Sequence, residues 1–480
     1  MRRAALVILG TLALASCSPV KIPTRSQPDI PPPASFSAEG GDVEAPQHWW
    51  RAFNDEALNS QVDAAIAANL DLRQSWARLA QAAAQARIAG APLLPEINLT
   101  SNAARTRGDS GTGIAYSSSW VVGFGLSWEV DLWRKIANRA EAAVLVAHAS
   151  RQDVEQTALV LSGTVTDTWF TIRAQANLIA VIEDQIDISE KLLETVEYRY
   201  SNGLADALQV YQQRQQLEGV RAQLPTARSL LETSFNAMFV LQGRPPEVSD
   251  AASVDATLPD LPPLPILGTP AELLEARPDL RAARDRLAAA DREVAAAVAN
   301  MLPTISLSLS YDFSSNSFAS PFNSGMNTIA GSFLQPLFDN DRRGAEVVRR
   351  RAIVQERIDA FSQAFLSALQ EVEDALDRER NQIDLLAEIA LQLDLAARQL
   401  QAARTSYTDG VAEYLDVISA VQTQQSLQRQ QVTAHKQLLA YRATLYRALG
   451  GTWMHELAPP RVDVELEQQA AISSLQEEEL

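Results

Sequence analysis

Apolar residues recur every seven positions along a long stretch between residues 134 and 200. The stretch contains no Pro, and its only Gly is Gly163. A strict seven-residue repeat keeps one apolar seam facing a partner helix in a left-handed supercoil. The seam residues are Val165, Ile172, Ile179, Ile186, Leu193 and Tyr200. The pattern therefore predicts a single, very long coiled-coil helix.

The same pattern occurs a second time, about 207 residues further along the chain. The corresponding positions are Val372, Glu379, Leu386, Leu393, Leu400 and Tyr407. Glu379 is the only one of them that is neither apolar nor aromatic. Residues 200–206 also match residues 407–413. A unit of this length exceeds the repeats of solenoid proteins, so we expect a duplicated chain whose halves occupy equivalent places in one structure.

Between the helical stretches the hydrophobic period changes from helical to two. Residues 120–132 alternate apolar with small or polar side chains, and residues 304–313 do the same at the equivalent place. Weaker strands at 97–103 and 329–337 would complete two hairpins, at about 93–132 and 303–338, with exposed loops at 105–118 and 314–327. Soluble half-buried strands also alternate, but ten-residue strands with one apolar face are typical of transmembrane β-barrels.

Four strands are too few to close a barrel, because the smallest transmembrane barrels have about eight. An open sheet in lipid would leave unpaired backbone groups at its edges, each costing several kcal/mol. The sequence therefore predicts that the barrel is shared between several copies of the chain.

The N-terminus combines Arg2 and Arg3 with an apolar run at 4–15, which predicts a signal peptide at 1–16. It ends in Leu-Ala-Ser before Cys17, the only cysteine of the chain. This run resembles a bacterial lipobox, which implies that Cys17 is lipidated with acyl chains such as palmitate and holds the chain on a membrane surface.

The remaining boundaries follow from composition and periodicity. We expect a Pro-rich tether at 17–47, a first repeat at 48–242, a Pro-rich linker at 243–270, a second repeat at 271–451 and an acidic, disordered tail at 452–480. Besides the long helix at 134–200, the repeats predict helices at 58–89, 206–242, 271–300, 342–409 and 412–449.

Composition and motifs exclude several function classes. A net charge of -18 argues against nucleic acid as a partner, since phosphate binding needs clustered Lys and Arg. The four histidines are scattered, and nucleotide, hydrolase and metalloprotease motifs are absent. We therefore expect neither enzyme activity nor a cofactor or metal site.

Four segments carry a resemblance to a known family. They are Glu-Ala-Arg-Pro-Asp-Leu-Arg-Ala-Ala at 275–283, Asn-Met-Leu-Pro at 300–303, Trp-Glu-Val-Asp-Leu-Trp at 128–133 and Phe-Leu-Gln-Pro-Leu-Phe at 333–338. With the duplicated plan, they resemble the TolC-like outer-membrane efflux channels, in the lipoprotein branch typified by OprM and NodT. The resemblance extends from Cys17 to about Gly451.

The resemblance implies a mainly α fold with a transmembrane β part. Three chains would form a twelve-stranded barrel in the outer membrane, continued by a periplasmic α-helical barrel. The homotrimer would be a passive exit duct for small molecules, supplied by a periplasmic adaptor and an inner-membrane transporter of the RND type. Two alternatives stay open: a type I protein-secretion conduit, and a non-conducting coiled-coil lipoprotein.

The resemblance also places a gate at the periplasmic tip. The family's constricting Leu ring corresponds to Leu415, and its Asp ring, one turn further, corresponds to Ser419. Ser419 lacks a carboxylate. Asp416 is a nearby alternative, although it lies about 100° round the helix from Leu415. We therefore expect a mainly hydrophobic constriction at Leu415.

The turns after the two long helices are the expected docking points for the adaptor. Gly203 and Gly410 suit the left-handed backbone that ends many helices. Their neighbours Asn202, Leu204, Thr408 and Val411 complete the set of docking candidates.

Overall fold

The computed structural model describes residues 22–23, 28–109, 111, 113–248, 255–317, 322 and 324–459. Within this part, the helices are α1 (Glu56–Ala68), α2 (Leu70–Gly90), α3 (Lys135–Ser201), α4 (Ala207–Arg221), α5 (Gln223–Leu241), α6 (Leu273–Ala276), α7 (Pro278–Ala299), α8 (Arg342–Thr408) and α9 (Tyr414–Leu449). The strands are β1 (Glu96–Asp109), β2 (Ile114–Val130), β3 (Thr304–Ser315) and β4 (Ser324–Leu334). Short 3₁₀ helices occupy Trp49–Phe53, Ala91–Leu93, Pro270–Glu272 and Trp453–Glu456.

The two long helices form as the heptad pattern predicts. Helices α3 and α8 contain 67 residues each and begin and end within one residue of the predicted bounds. The lone glycine of α3 has a packing reason. A Cβ on Gly163 would lie 3.2 Å from Cδ of Arg447, which is closer than most side chains tolerate.

Three other helices were predicted to be continuous, and this prediction was wrong. The 58–89 stretch breaks at Asn69, whose side-chain amide donates to the Leu241 carbonyl at 2.8 Å while its Oδ1 accepts from the Leu72 amide. The 206–242 stretch breaks at Ala222. The 271–300 stretch breaks at Arg277, which is extended because the residue before a proline avoids helical dihedrals.

The four strands form one antiparallel sheet in the order β1-β2-β3-β4. Its register aligns apolar and polar rows across all four strands. One row is Ile97, Leu126, Leu309 and Ile329, and the adjacent row on the opposite face is Asn98, Gly125, Ser310 and Thr328. The period-two prediction is therefore confirmed, and it applies to the whole sheet rather than to single strands.

The hairpin loops are shorter than predicted. Strands β1 and β2 extend to Asp109 and from Ile114, and β3 and β4 extend to Ser315 and from Ser324. The loops placed at 105–118 and 314–327 were therefore wrong in extent. Backbone pairing continues where the side chains are polar, since a ladder hydrogen bond does not depend on apolar alternation.

The chain divides into two compact units. Unit 1 contains the sheet with residues 77–152 and 279–364, and unit 2 contains residues 32–76, 153–278 and 365–480, of which 249–254 and 460–480 lie outside the described part. Within the described part, none of the helices is long and apolar enough to cross a membrane.

An aromatic cluster forms part of the core of unit 2. Trp50 packs edge-to-face on Trp453, Trp49 stacks on Tyr446, and Phe53 packs against Phe170. Trp453 belongs to a 3₁₀ helix and is buried. The disordered tail was therefore placed too early at 452, since these residues are packed; residues 460–480 lie outside the described part.

The part of the predicted tether at residues 28–47 packs on the protein surface rather than extending freely. Among residues 28–47, Phe36 is buried and Ser37 donates to Glu373. The Gly41 amide donates to Pro265 O at 3.0 Å, and the Ile266 amide donates to Val43 O at 2.9 Å. The segment therefore packs against the Pro-rich linker.

Glu379, the one charged residue of the predicted seam, forms a buried ion pair. Its carboxylate accepts two hydrogen bonds from Arg442 of α9, at 2.7 and 2.6 Å, and the two side chains are only 6% and 2% exposed. Arg442 also donates to the carbonyls of Pro262 and Pro263. The pair therefore ties the linker to both helices.

Candidate functional site

Two equivalent turns in unit 2 connect the long helices to the helices that follow. Gly203 has φ 73° and Gly410 has φ 76°, which confirms the predicted left-handed backbone. The Leu204 amide donates to Arg199 O at 2.8 Å, and the Val411 amide donates to Ser406 O at 2.9 Å. Both turns are thus Schellman caps, which satisfy carbonyls that the helix ends leave free.

The two turns differ in how the next helix begins. The Asp206 carboxylate accepts from the Gln209 amide at 3.0 Å and caps α4. Its counterpart Glu413 makes no side-chain cap to α9. A capping carboxylate stabilises a helix start by about 1 kcal/mol, so the second turn has the weaker start.

All six docking candidates are exposed on these turns: Asn202, Gly203, Leu204, Thr408, Gly410 and Val411. Leu204 is 64% exposed and Val411 is 84% exposed. The Asn202 amide donates to Tyr198 O, and the Thr408 hydroxyl donates within α8, so both side chains also support the turns. Each turn therefore presents one apolar side chain to solvent on a rigid cap.

A mixed core lies behind the turns. It joins α3, α4, α8 and α9, and its buried members include Val196, Val210, Leu400, Tyr414 and Val417. The hydroxyl of Tyr414 donates to Gln213 Oε1 at 2.8 Å, and burial raises the pKa of that hydroxyl. The hydroxyl of Tyr407 donates to Gln209 Oε1 at 2.7 Å. These bonds cross between the two helix pairs.

Further along the helices, buried amides connect α3 both to α4 and to α9. The Gln213 amide donates to Ser189 O at 2.9 Å, and the Gln185 amide donates to Gln425 O at 3.1 Å. Gln185 Oε1 accepts from Arg429, whose own pKa is lowered by burial. Buried amides fix a register because a one-turn slip would leave each of them unpaired.

The gate candidates lie on the solvent face of the first turns of α9. Leu415 is 54% exposed, whereas Tyr414 and Val417 are buried. Ser419 is also exposed, one turn after Leu415, and Asp416 is exposed beside them. The ordinary coiled-coil packing of α9 therefore uses other residues and leaves Leu415 available for contact outside this chain.

The equivalent position in the first half of the chain is also an exposed leucine, which sequence reasoning did not compare with Leu415. Leu208 of α4 is 61% exposed, and the repeat offset relates it to Leu415. Tyr211, one turn further along α4, is exposed as well. The duplication itself would have indicated both residues, had the gate position been mapped back onto the first half.

Two remaining expectations concern lipids and metals. Cys17, the candidate lipidation site, lies outside the described residues. Within the described residues, no group of three or more His, Cys, Asp or Glu side chains could hold a metal ion.

Known proteins are similar to this chain over nearly its whole length. The sequence profile of the outer membrane efflux protein family matches residues 62–244 and 269–451. The pyoverdine export outer membrane protein OpmQ of Pseudomonas putida is 30% identical over 464 residues, covering 92% of this chain and 96% of that protein. The cation efflux system protein CusC of Escherichia coli is 27% identical, covering 92% of this chain and 97% of that protein.

Solved structures show the same fold. The outer-membrane channel OprN superposes with a TM-score of 0.82 at 24% identity, covering 91% of this chain and 98% of that channel. The two segments matched by the family profile begin at 62 and 269 and end at 244 and 451, so the predicted duplication is confirmed.

Proposed function

The chain belongs to the outer membrane efflux protein family and is an outer-membrane channel component of an efflux system, and we propose that it forms a passive, homotrimeric exit duct for small molecules. It is located in the outer membrane. The two relatives above are named for the export of pyoverdine and for cation efflux.

The arrangement of the sheet is the observation that carries this proposal. The row of Ile97, Leu126, Leu309 and Ile329 gives one face of the sheet an apolar band that crosses all four strands, and Ile97 and Ile329 are exposed at its two edges. Strands β1 and β4 are edges, so their outer backbone groups have no partner strand among the described residues. In lipid each open group costs several kcal/mol, and pairing β4 of one copy with β1 of the next removes that cost.

Three copies give twelve strands, which exceeds the minimum of about eight for a closed barrel. A periplasmic adaptor would dock at the Schellman-capped turns, where Leu204 and Val411 are exposed. An inner-membrane transporter of the RND type would supply the energy, and lipidated Cys17 would hold the chain on the membrane.

The mass of the detergent-extracted protein tests the shared barrel. Light scattering with detergent correction should give about three times the mature chain mass, where the full chain is 52.3 kDa. A stable, folded monomer would contradict the proposal, since four strands cannot close alone.

We further propose that the Leu415 side chain narrows the pore. Ser419, one helical turn further, supplies no carboxylate there, and Asp416 contributes less than Leu415 to the constriction. Leu415→Ala should raise single-channel conductance in planar bilayers, because it removes an apolar side chain that is 54% exposed and unused by the helix packing.

Leu208→Ala is the matched control, since it removes the same side chain at the equivalent, similarly exposed position of α4. Its conductance should stay close to that of the unaltered protein. An unchanged L415A channel, or a larger effect from L208A, would place the constriction elsewhere.

A further inference from the structure

A groove of about 640 Å³ lies within unit 1. Helices α2, α3, α7 and α8 each contribute a stripe two turns long. The floor is formed mainly by small side chains: Ala82, Ala89, Ala142, Ala143, Ala289 and Ala290. Because alanines fill little space, the four helices leave a concave, apolar surface large enough for a drug-sized molecule.

The rim of the groove is strongly basic. Arg139, Arg286, Arg350 and Arg357 line it, against one carboxylate from Glu293. This excess of three positive charges occurs in a chain whose net charge is -18. The groove is therefore a local positive site on a negative protein, and such a site concentrates anions.

Part of this positive charge is already paired. Arg350 contacts Glu293 at 3.2 Å and Glu346 at 2.8 Å. The Glu346 carboxylate accepts from Arg349 and Arg350, which lower its pKa to about 2, so it stays ionised and bound to them. Arg350 therefore mainly shapes the rim.

Two of the rim arginines have little compensation. Arg139 is exposed and makes no ion pair with any described carboxylate. Arg357 has only Glu356, at 3.9 Å, a pair of adjacent residues on one helix. Their guanidinium groups can each donate two parallel hydrogen bonds to a carboxylate or sulfonate.

We propose that this groove binds organic anions in transit: small molecules with an apolar, often aromatic, body and a carboxylate or sulfonate. The body lies on the alanine floor, and the anionic group is held by Arg139 and Arg357. The proposal rests on the proposed duct function and names the class of cargo that the duct favours. Because these arginines are exposed, binding is weak and salt-sensitive, and the cargo is released readily.

The test is fluorescence polarisation of the purified, full-length protein in a neutral detergent. Fluorescein, an aromatic anion, is the probe, and rhodamine 123, a cation with the same ring system, is its counterpart. Fluorescein should bind saturably, rhodamine 123 should not, and raising the salt concentration should weaken the binding of fluorescein.

Two kinds of variant locate the binding. Arg139→Gln with Arg357→Gln should raise the Kd for fluorescein about tenfold, equivalent to 1.4 kcal/mol. Ala143→Leu keeps every charge but fills the floor, and should weaken binding similarly. The matched control is Arg87→Gln with Arg351→Gln, which removes two exposed arginines from α2 and α8 outside the groove and should leave the Kd unchanged.

Equal loss in the control pair, or equal binding of both dyes, would overturn the proposal. Displacement of fluorescein by phosphatidylglycerol would overturn it too, since the groove would then hold lipid rather than cargo. Planar-bilayer conductance of the same preparation separates the two proposals. A conducting channel without fluorescein binding refutes only the groove, whereas binding without conductance refutes the duct.

Discussion

Replacing Arg442 with methionine should destabilise unit 2 strongly. Arg442 is fully packed, with a side chain only 2% exposed, and it is the bidentate partner of Glu379. Methionine fills similar space but leaves the Glu379 carboxylate buried without a counter-charge. It also removes the donor to the carbonyls of Pro262 and Pro263.

The magnitude follows from these contacts. Removing one partner of a buried ion pair costs about 3–5 kcal/mol, mostly because the remaining charge stays buried. For a folding unit of a few hundred residues, that corresponds to a fall in Tm of roughly 6–10 °C. The linker should also loosen, so a protease of broad specificity, such as proteinase K, should cut near 255–268 faster; trypsin is unsuitable because this segment contains no Lys or Arg.

The double variant separates charge from packing. Glu379→Leu with Arg442→Met removes both charges and leaves no unpaired ion. It should recover most of the lost stability and remain about 1–3 kcal/mol below the unaltered protein, since the two proline carbonyls still lack a donor. Thermal unfolding in detergent, followed by tryptophan fluorescence, measures all three proteins.

Arg398→Met provides the matched control. Arg398 pairs with Asp394 at 2.9 Å on the exposed face of α8, where ion pairs contribute about 0–1 kcal/mol. If R442M lowers Tm no more than R398M does, the pair does not hold the linker in place. That result would refute the reasoning, because both variants remove the same charge.

Three further outcomes are expected. Gly123→Val should reduce the yield of folded oligomer on gels, since a Cβ there would overlap a carboxylate of β3 and lie 2.9 Å from Tyr311 O; Gly125→Val, with nothing within 4 Å, should be tolerated. Burial lowers the pKa of His435, so the unfolded chain binds a proton more readily than the folded protein, and the folded state loses stability as pH falls below about 6.5. His435→Gln should therefore reduce the drop in Tm between pH 7.5 and pH 5.5. An unchanged drop would contradict this. Tyr407→Phe removes the hydroxyl that donates to Gln209, so it should lower the free energy of unfolding by about 0.5–1.5 kcal/mol; an unchanged Tm would contradict this.

Much of the architecture is determined locally and is therefore legible in the sequence. A heptad seam without proline specifies a long helix whatever surrounds it, and α3 and α8 begin and end within a residue of the predicted bounds. Alternation with period two likewise specifies a strand and the set of side chains that share one of its faces. The left-handed turns at Gly203 and Gly410 follow from the absence of a Cβ.

The helix breaks depended on partners that are distant in sequence. Asn69 ends α1 because its side chain bonds to the Leu241 carbonyl, and nothing near Asn69 in the chain indicates that contact. The extent of the hairpins was similarly hidden, since backbone pairing beyond the apolar rows leaves no periodic signal.

Only the tertiary structure determined the role of residues that depart from the sequence patterns. Glu379 breaks the heptad in sequence, yet it lies buried because Arg442 pairs with it and uses its remaining donor group on two proline carbonyls. The arginines at 139 and 357 are unremarkable in sequence and become one basic rim when four helices bring them together. Periodicity in the sequence shows which face of a helix or strand a residue occupies. The chemical role of the residue depends on which side chains of other elements contact that face, and those contacts are set by packing across the whole chain.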